Sequence, residues 1–141
     1  MICHVKLSDV AAIQKINLEI LGYNYDVGAT KAQLARALQQ PEQIILVAKN
    51  QAGQVIDAHA ASYDCLYFPP LLNLLALAVD KDFQGQGYGK ALMQAIREEG
   101  VAAGYTGIRI NSGISRMKAH EFYRKLGCEE KADQKRFYWE F

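Results

Sequence analysis

Three glycines at alternate positions, Gly85, Gly87 and Gly89, constrain this chain more than any other feature of its sequence. An apolar stretch ends at Val79, and a helical pattern begins directly after the glycines. Because glycine has no Cβ atom, the backbone N–H groups of such a segment can approach an anion closely. The helix N-terminus that follows adds unpaired donors and the positive end of the helix dipole. The pattern predicts a loop that binds a pyrophosphate between a strand and a helix, although a flexible turn would have the same composition.

Two familiar phosphate-binding loops do not fit this spacing. A Walker loop requires a glycine where Gln84 stands, and Ala91 replaces its metal-binding serine or threonine. A dinucleotide fingerprint that starts at Gly85 would need its third glycine at Lys90. Both nucleotide-binding motifs are therefore excluded by counting.

The spacing Gln-x-x-Gly-x-Gly over residues 84–89 resembles the acyl-coenzyme A loop of the GNAT superfamily of acyl-CoA-dependent N-acetyltransferases. A second segment, Ala-His-Glu-Phe-Tyr-Arg-Lys-Leu-Gly-Cys at residues 119–128, is similar to that family's later Ala-x-x-Phe-Tyr-x-x-x-Gly-Phe segment. One helix and one strand are expected between the two segments, as in the family. The resemblance extends along the whole chain and implies a single acetyltransferase domain over residues 1–141.

The resemblance implies an N-acetyltransferase that moves an acetyl group from acetyl-CoA to a primary amine by direct attack in a ternary complex. The acceptor would be a small molecule or a peptide, and no metal would be required. Two other functions stay open. The chain would be a non-catalytic acyl-CoA sensor if turnover has been lost, or an acetyltransferase that acts on a protein N-terminus or lysine.

By the same resemblance, backbone amides of residues 86–90 would hold the cofactor pyrophosphate. The peptide-like pantetheine arm would pair with a freed strand edge near Leu77 and Val79, as a peptide adds to a sheet edge. An amide of that strand would also stabilise the thioester oxygen as charge develops on it. The implied cofactor-binding residues are Leu77, Ala78, Val79, Gln84, Gly85, Gln86, Gly87, Tyr88, Gly89, Lys90, Asn111, Arg116, Ala119 and Phe122.

The resemblance places Tyr123 at the family's general-acid position, where it would protonate the departing thiolate. A phenol has a pKa of about 10, so it is a proton donor at neutral pH. The alternative is core packing, because Tyr123 shares an i, i+3, i+4, i+7 face with Ala119, Phe122 and Leu126.

Two positions depart from the family pattern. Arg116 replaces an asparagine that contacts pantetheine, and it would either reach a cofactor phosphate or lie in solvent. Asn73 replaces a glutamate base, and an amide cannot accept the amine proton. His59, Asp57 and Asp64 on the preceding strand are the candidate bases, unless the amine arrives with a low pKa.

The segments that would surround the acceptor are rich in aromatic residues, which hold cationic amines by cation–π attraction but also serve packing or a dimer contact. The sequence has no acidic cluster of the kind that would indicate a polyamine or aminoglycoside site. The residues concerned are Tyr23, Tyr25, Tyr63, Tyr67, Phe68, Tyr138 and Trp139.

Composition is typical of a globular domain of 141 residues, with 50% hydrophobic residues and a formal net charge of +1. This balance gives no electrostatic reason to expect nucleic acid as a partner. No secretory signal or membrane-spanning stretch is evident. The three cysteines lack metal-ligand spacing and indicate reduced thiols in a cytoplasmic protein.

Apolar periodicity and turn residues predict a mixed α/β domain of the GNAT type. Its central sheet would be mostly antiparallel, splayed where strand 71–79 meets strand 107–111, and flanked by helices. Four aromatic residues in the last strand predict a homodimer through a terminal hairpin. The predicted elements are strand 1–7, a helix from residue 8 or 9 to Gly22, helix 30–39 starting with a Thr30–Gln33 capping box, strands 43–49 and 54–64 joined by turn 50–53, strand 71–79, a helix to about Ala103, strand 107–111, helix 116–126 and a hairpin of residues 128–131 with 135–141.

Overall fold

The computed structural model describes residues 1–52 and 54–141, which form two compact units, Met1–Ile110 and Asn111–Phe141. The helices and strands follow one another in the predicted order up to the last helix. Short 3-10 turns cover Leu7–Asp9 and Lys81–Phe83, and a π turn covers Asn17–Leu21. The main elements are β1 (Ile2–His4), α1 (Val10–Ile16), α2 (Val27–Ala37), β2 (Gln43–Lys49), β3 (Val55–Tyr63), β4 (Leu71–Ala78), α3 (Tyr88–Ala102), β5 (Ile108–Ile110) and α4 (Met117–Lys125).

One five-stranded sheet with the order β1-β2-β3-β4-β5 organises the first unit. The first three pairings are antiparallel, and only β4 and β5 run parallel. That last pairing joins Leu72–Leu74 to Ile108–Ile110, whereas β4 continues to Ala78. The predicted mixed fold is confirmed, with strands that separate beyond Leu74.

Helices cover both faces of this sheet. On one face, α1 and α2 pack on an apolar cluster that includes Ile13, Leu34 and Val47. On the other face, α3 buries Leu92 and Ile96 completely. Burial of these side chains is the main stabilising contribution, because each apolar side chain of this size gains roughly 1.5–3 kcal/mol when removed from water.

The second helix begins earlier than the sequence suggested. The capping box at Thr30 is wrong, because Asp26 caps α2 by accepting the Ala29 N–H at 2.8 Å. The Thr30 hydroxyl instead donates to the Asp26 carbonyl at 2.9 Å. Asp26 precedes a good helical segment by one position and satisfies one of its free amides, so it competes successfully as the N-cap.

Two other predictions differ from the structure within the first unit. The first strand spans three residues and not seven, because the chain enters a 3-10 turn at Leu7. The apolar periodicity of the helix after the glycines also predicts that Ala103 faces inward, but Ala103 is exposed directly after α3. The predicted turn 50–53 includes Gly53, which lies outside the described residues.

The second unit contains α4 followed by an extended segment. The terminal hairpin is wrong, since residues 128–141, all of them described, contain no strand. The segment that should turn, Lys-Ala-Asp-Gln-Lys at 131–135, has no glycine or asparagine to form a tight hairpin. The aromatic side chains of this segment are more than four-fifths exposed, and they are Phe137, Tyr138, Trp139 and Phe141. Across the described residues, no helix has the length and apolar character to cross a membrane.

Candidate active site

The glycine loop takes a backbone conformation that depends on its glycines. Gly85 has a φ angle of 76° and Gly87 one of 87°, both in the left-handed region that side chains disfavour. Gly87 is the N-cap of α3, and the first helical hydrogen bond runs from the Ala91 N–H to the Gly87 carbonyl at 3.0 Å. The N–H groups of Tyr88, Gly89 and Lys90 precede that bond, so they are available to an anion.

Side chains brace the loop from within its own segment. The Gln84 side-chain amide donates to the Val79 carbonyl at 3.0 Å, and that of Gln86 donates to the Asp82 carbonyl at 2.8 Å. Asp80 caps the intervening 3-10 turn by accepting the Asp82 N–H at 2.9 Å. Sequence reasoning missed this turn, although an aspartate directly after a strand is a typical capping signal.

Strand β4 carries a bulge beside its free edge. Leu74 pairs with Ala60 and Ala76 pairs with His59, so Leu75 is the extra residue, and it is half exposed. Bulges bend a strand, increase its twist and often lie next to active sites. The bulge occurs where β4 leaves β5, and it was not predicted, because register is set by pairing across the sheet.

The side chain at position 73 has a structural partner. Arg109 Nη1 donates to Asn73 Oδ1 at 3.2 Å, and the guanidinium carbon lies 4.6 Å from the centre of the Tyr63 ring. These contacts tie β3, β4 and β5 together at the paired end of β4. The amide therefore links strands at the position where the family pattern has a base.

The three candidate bases, of which Asp57 and His59 lie on β3 and Asp64 directly follows it, differ in environment. Asp57 is 2% exposed, and burial raises its pKa to about 7. Burial lowers the pKa of His59 to about 4, and its Nε2 lies 2.6 Å from Gln43 Oε1. Asp64 is exposed and accepts a hydrogen bond from the Ser62 hydroxyl at 2.7 Å. The pKa of Asp57 is closer to neutrality than that of His59, and the Asp57 side chain is enclosed.

The second unit holds Tyr123 on α4, where it contacts Phe122 edge-on at 5.3 Å between ring centres. Burial raises the pKa of Tyr123, and the charge of Arg116 acts in the opposite direction. The phenol is therefore protonated at neutral pH. Arg116 is the exposed N-cap residue of α4, Asn111 is exposed, and Ala119 is partly buried.

A cavity of about 530 Å³ lies between the π turn, the loop that follows it and α2. Tyr23 and Tyr25, two of the aromatic residues predicted to surround the acceptor, line it. Tyr67 and Phe68 pack on each other at 5.0 Å near the start of β4 and are exposed. In their own unit, Tyr138 and Trp139 are exposed.

The family and fold are those that the loop suggested. Residues 41–130, more than half of the chain, match the family profile described as Acetyltransferase (GNAT) domain. No curated protein matches the sequence.

Solved structures share the fold at low sequence identity. The chain is similar to a putative acetyltransferase from Agrobacterium tumefaciens (17% identity, TM-score 0.85, 99% of each chain covered). It is also similar to an aminoglycoside 6'-N-acetyltransferase from Acinetobacter baumannii (14% identity, TM-score 0.86, covering 100% of this chain and 98% of that one). A third structure is AAC(6')-Iy in complex with a bisubstrate analogue, CoA-S-monomethyl-acetylneamine (19% identity, TM-score 0.85, covering 100% and 97%). The chain belongs to the GNAT acetyltransferase family.

Proposed function

We propose that the chain, as a single domain over residues 1–141, transfers an acetyl group from acetyl-CoA to a primary amine. The amine nitrogen forms a bond to the acetyl carbon, the carbon–sulfur bond breaks, and coenzyme A leaves as a thiolate. The nitrogen loses one proton and the thiolate gains one. Family membership and the glycine loop support this function, and the bound bisubstrate analogue in a protein of the same fold agrees with it.

The observation that carries the proposal is the junction between β4 and α3. The strand runs beyond its last pair with β5, and the glycine loop then leads into a helix whose first amides lack helical partners. We assign the pyrophosphate to the N–H groups of residues 86–90. We assign the pantetheine to the edge formed by Leu77, Ala78 and Val79.

The remaining assignments concern the second unit. Tyr123 would supply the proton to the thiolate, which its raised pKa permits at neutral pH. Arg116, whose guanidinium is exposed at the N-cap of α4, would contact a cofactor phosphate. Asn111, Ala119 and Phe122 would complete the cofactor site.

Replacement of Gly87 by valine tests the pyrophosphate site. A Cβ at Gly87 would meet no atom within 4 Å, so the new side chain would occupy the space beside the loop, but its φ angle of 87° is strained for valine. Gly104 at the other end of α3 has a φ angle of 91° and equally open surroundings, and so Gly104→Val is a control for strain. Calorimetry should show a loss of acetyl-CoA affinity of tenfold or more in Gly87→Val, and none in Gly104→Val. Equal affinities in the two folded variants would refute the assignment.

Thiol release from acetyl-CoA in the presence of amines separates an enzyme from a sensor. The proposal expects amine-dependent release. Tight acetyl-CoA binding without turnover on small-molecule, peptide or protein amines would instead favour the non-catalytic sensor, for which the absence of a base at Asn73 is the motive.

A further inference from the structure

The cavity between the π turn and α2 has an uncharged lining. All eight residues that line it are neutral, and most carry an amide or a hydroxyl group. Gln14, Asn17 and Gln33 supply side-chain amides, Thr30 supplies a hydroxyl, and Tyr23 and Tyr25 supply aromatic faces. The surface that these residues present to the cavity is largely apolar, which suits the C–H faces of a ring that carries hydroxyl groups, and the amides can donate and accept hydrogen bonds with those hydroxyls.

One group in this wall has an unused hydrogen-bonding capacity. Asn17 Oδ1 is shielded from solvent and has no hydrogen-bond partner among the described residues. A buried acceptor without a partner is unfavourable, so a rotation of the Asn17 amide that turns Oδ1 towards a ligand donor in the cavity would gain affinity. Asn17 begins the π turn, a local distortion that is frequent at functional sites.

The wall is held in place and lies against the strand assigned to the cofactor. The Gln14 side-chain amide donates to the Tyr25 carbonyl at 3.0 Å, and the Tyr23 N–H donates to the Asn17 carbonyl at 3.1 Å. Gly22, with a φ angle of 77°, ends the π turn, and it lines the cavity together with the loop that follows it. The π turn itself packs against β4. A ligand in the cavity would therefore be near the strand along which acetyl transfer is proposed.

We propose that this cavity binds the acceptor, and that the acceptor is a hydroxyl-bearing amine with one positive charge, of the amino-monosaccharide class. The inference rests on the proposed acetyltransferase function. A single ammonium group is compatible with tyrosine faces, which attract cations. A polycation would require carboxylates to neutralise its charges, and the cavity wall contains none among its eight residues.

Three probe amines test the two halves of this proposal. Glucosamine has one amine and several hydroxyls, cyclohexylamine has one amine and no hydroxyl, and neamine is an aminoglycoside fragment with several amines. With acetyl-CoA, kcat/KM should be at least about tenfold higher for glucosamine than for either of the other amines. Cyclohexylamine lacks the hydroxyl groups, and neamine adds further positive charges. A higher kcat/KM for neamine or for cyclohexylamine would overturn the proposal.

Variants connect the selectivity to the cavity. Asn17→Ala should raise the KM for glucosamine about tenfold while the KM for acetyl-CoA stays unchanged, as expected for loss of one buried hydrogen bond. Tyr23→Leu, at a residue that is 60% exposed and thus safe for folding, should weaken glucosamine severalfold. Gln33→Glu at the exposed rim should shift selectivity towards neamine, and the same change at Gln39, exposed beyond α2, should not. An unchanged KM for glucosamine in both Asn17→Ala and Tyr23→Leu would refute the assignment.

Binding without turnover distinguishes failure of this inference from failure of the proposed function. Saturation-transfer NMR should detect glucosamine on the wild-type chain and on Gly87→Val, and should show a weaker signal for Asn17→Ala. Glucosamine binding without acetyl transfer would leave the cavity assignment standing and refute the enzymatic function. Acetyl transfer to other amines without glucosamine binding would refute the cavity assignment alone.

Discussion

Replacement of Asp57 by asparagine should make the chain more stable above neutral pH. The carboxyl is 2% exposed, and its Oδ1 has no hydrogen-bond partner in the part of the chain that the structure describes. Burial raises its pKa from the ordinary value of 3.8 to about 7. Above that pH the folded chain holds a charge in an apolar environment, which asparagine would remove.

The sign and size of the effect follow from proton linkage. Because the folded-state pKa exceeds the unfolded one, this carboxyl contributes stability that is complete below pH 3.8 and is lost as the pH rises to about 7. A difference of about three pKa units corresponds to about 4 kcal/mol in the free energy of unfolding. About 3 kcal/mol of that loss should occur between about pH 5 and about pH 8.

His59 titrates in the opposite sense on the same face of β3. Its pKa falls from 6.5 to about 4, so its contribution to stability is present above pH 6.5 and is lost as the pH falls to about 4. In the wild-type chain the two effects offset each other below pH 6.5. The difference between wild type and Asp57→Asn removes the His59 contribution, which is common to both proteins.

Urea unfolding followed by far-ultraviolet circular dichroism at a series of pH values measures this difference. The buried amide of the variant lowers its free energy of unfolding by about 1–3 kcal/mol at every pH. The pH dependence of the difference between the two proteins is therefore the quantity to compare. Asp64→Asn is the matched control, because that carboxyl is exposed. A difference between wild type and Asp57→Asn that changes by less than about 1 kcal/mol from pH 5 to pH 8 would refute the reasoning.

Three further predictions concern packing, catalysis and assembly. Gly100→Ala should lower the free energy of unfolding by about 1 kcal/mol, because its Cβ would lie 2.8 Å from the fully buried Leu72 side chain and the cost of that overlap, roughly 1–3 kcal/mol, exceeds the gain in helix propensity of about 1 kcal/mol. Val101→Ala on the exposed side of the same helix should change it little, and a more stable Gly100→Ala would contradict the packing. Tyr123→Phe should lower kcat by at least about tenfold with little change in acetyl-CoA affinity, and normal turnover in an acceptor assay limited by chemistry would make Tyr123 a packing residue. Light scattering should show a homodimer at micromolar concentration that Trp139→Ser weakens, since Trp139 is 82% exposed in an aromatic segment, and a monomeric wild type would count against it.

The fold was predictable where local patterns and the final structure agree. The apolar run of β4, the glycines after it and the helical period of α3 all specify the same strand-loop-helix unit, and Gly85 and Gly87 take the left-handed conformation that their identity permits. Gly22 likewise ends the first helical segment with a positive φ angle. These features depend on a few adjacent residues, which is why the sequence specifies them.

Other features depend on partners that are distant in sequence. The Leu75 bulge arises from the pairing of β3 with β4, and the contact between Arg109 and Asn73 joins residues 36 positions apart. The predicted terminal hairpin failed for a related reason, since aromatic and alternating residues favour a strand only when a pairing partner is present. The burial of Asn17 Oδ1 without a hydrogen-bond partner in residues 1–52 and 54–141 likewise depends on how the chain folds, so the sequence alone does not indicate it.

Among the three candidate bases, the properties of Asp57 connect stability with function. His59, with a pKa of about 4 and a contact to Gln43, is a weak base at neutral pH, whereas Asp57 titrates near pH 7, where general bases are most effective. An enclosed carboxyl cannot contact the amine directly, so any proton would reach it through intervening groups. If Asp57 accepts that proton, kcat/KM of the wild-type chain should rise around pH 7, as the carboxyl loses its own proton. Asp57→Asn should lack this rise and turn over more slowly, while being more stable above pH 7. Such a trade-off between stability and activity is known from other active sites. Equal pH–rate profiles in the two proteins would mean that Asp57 affects stability alone, and that the amine loses its proton to solvent.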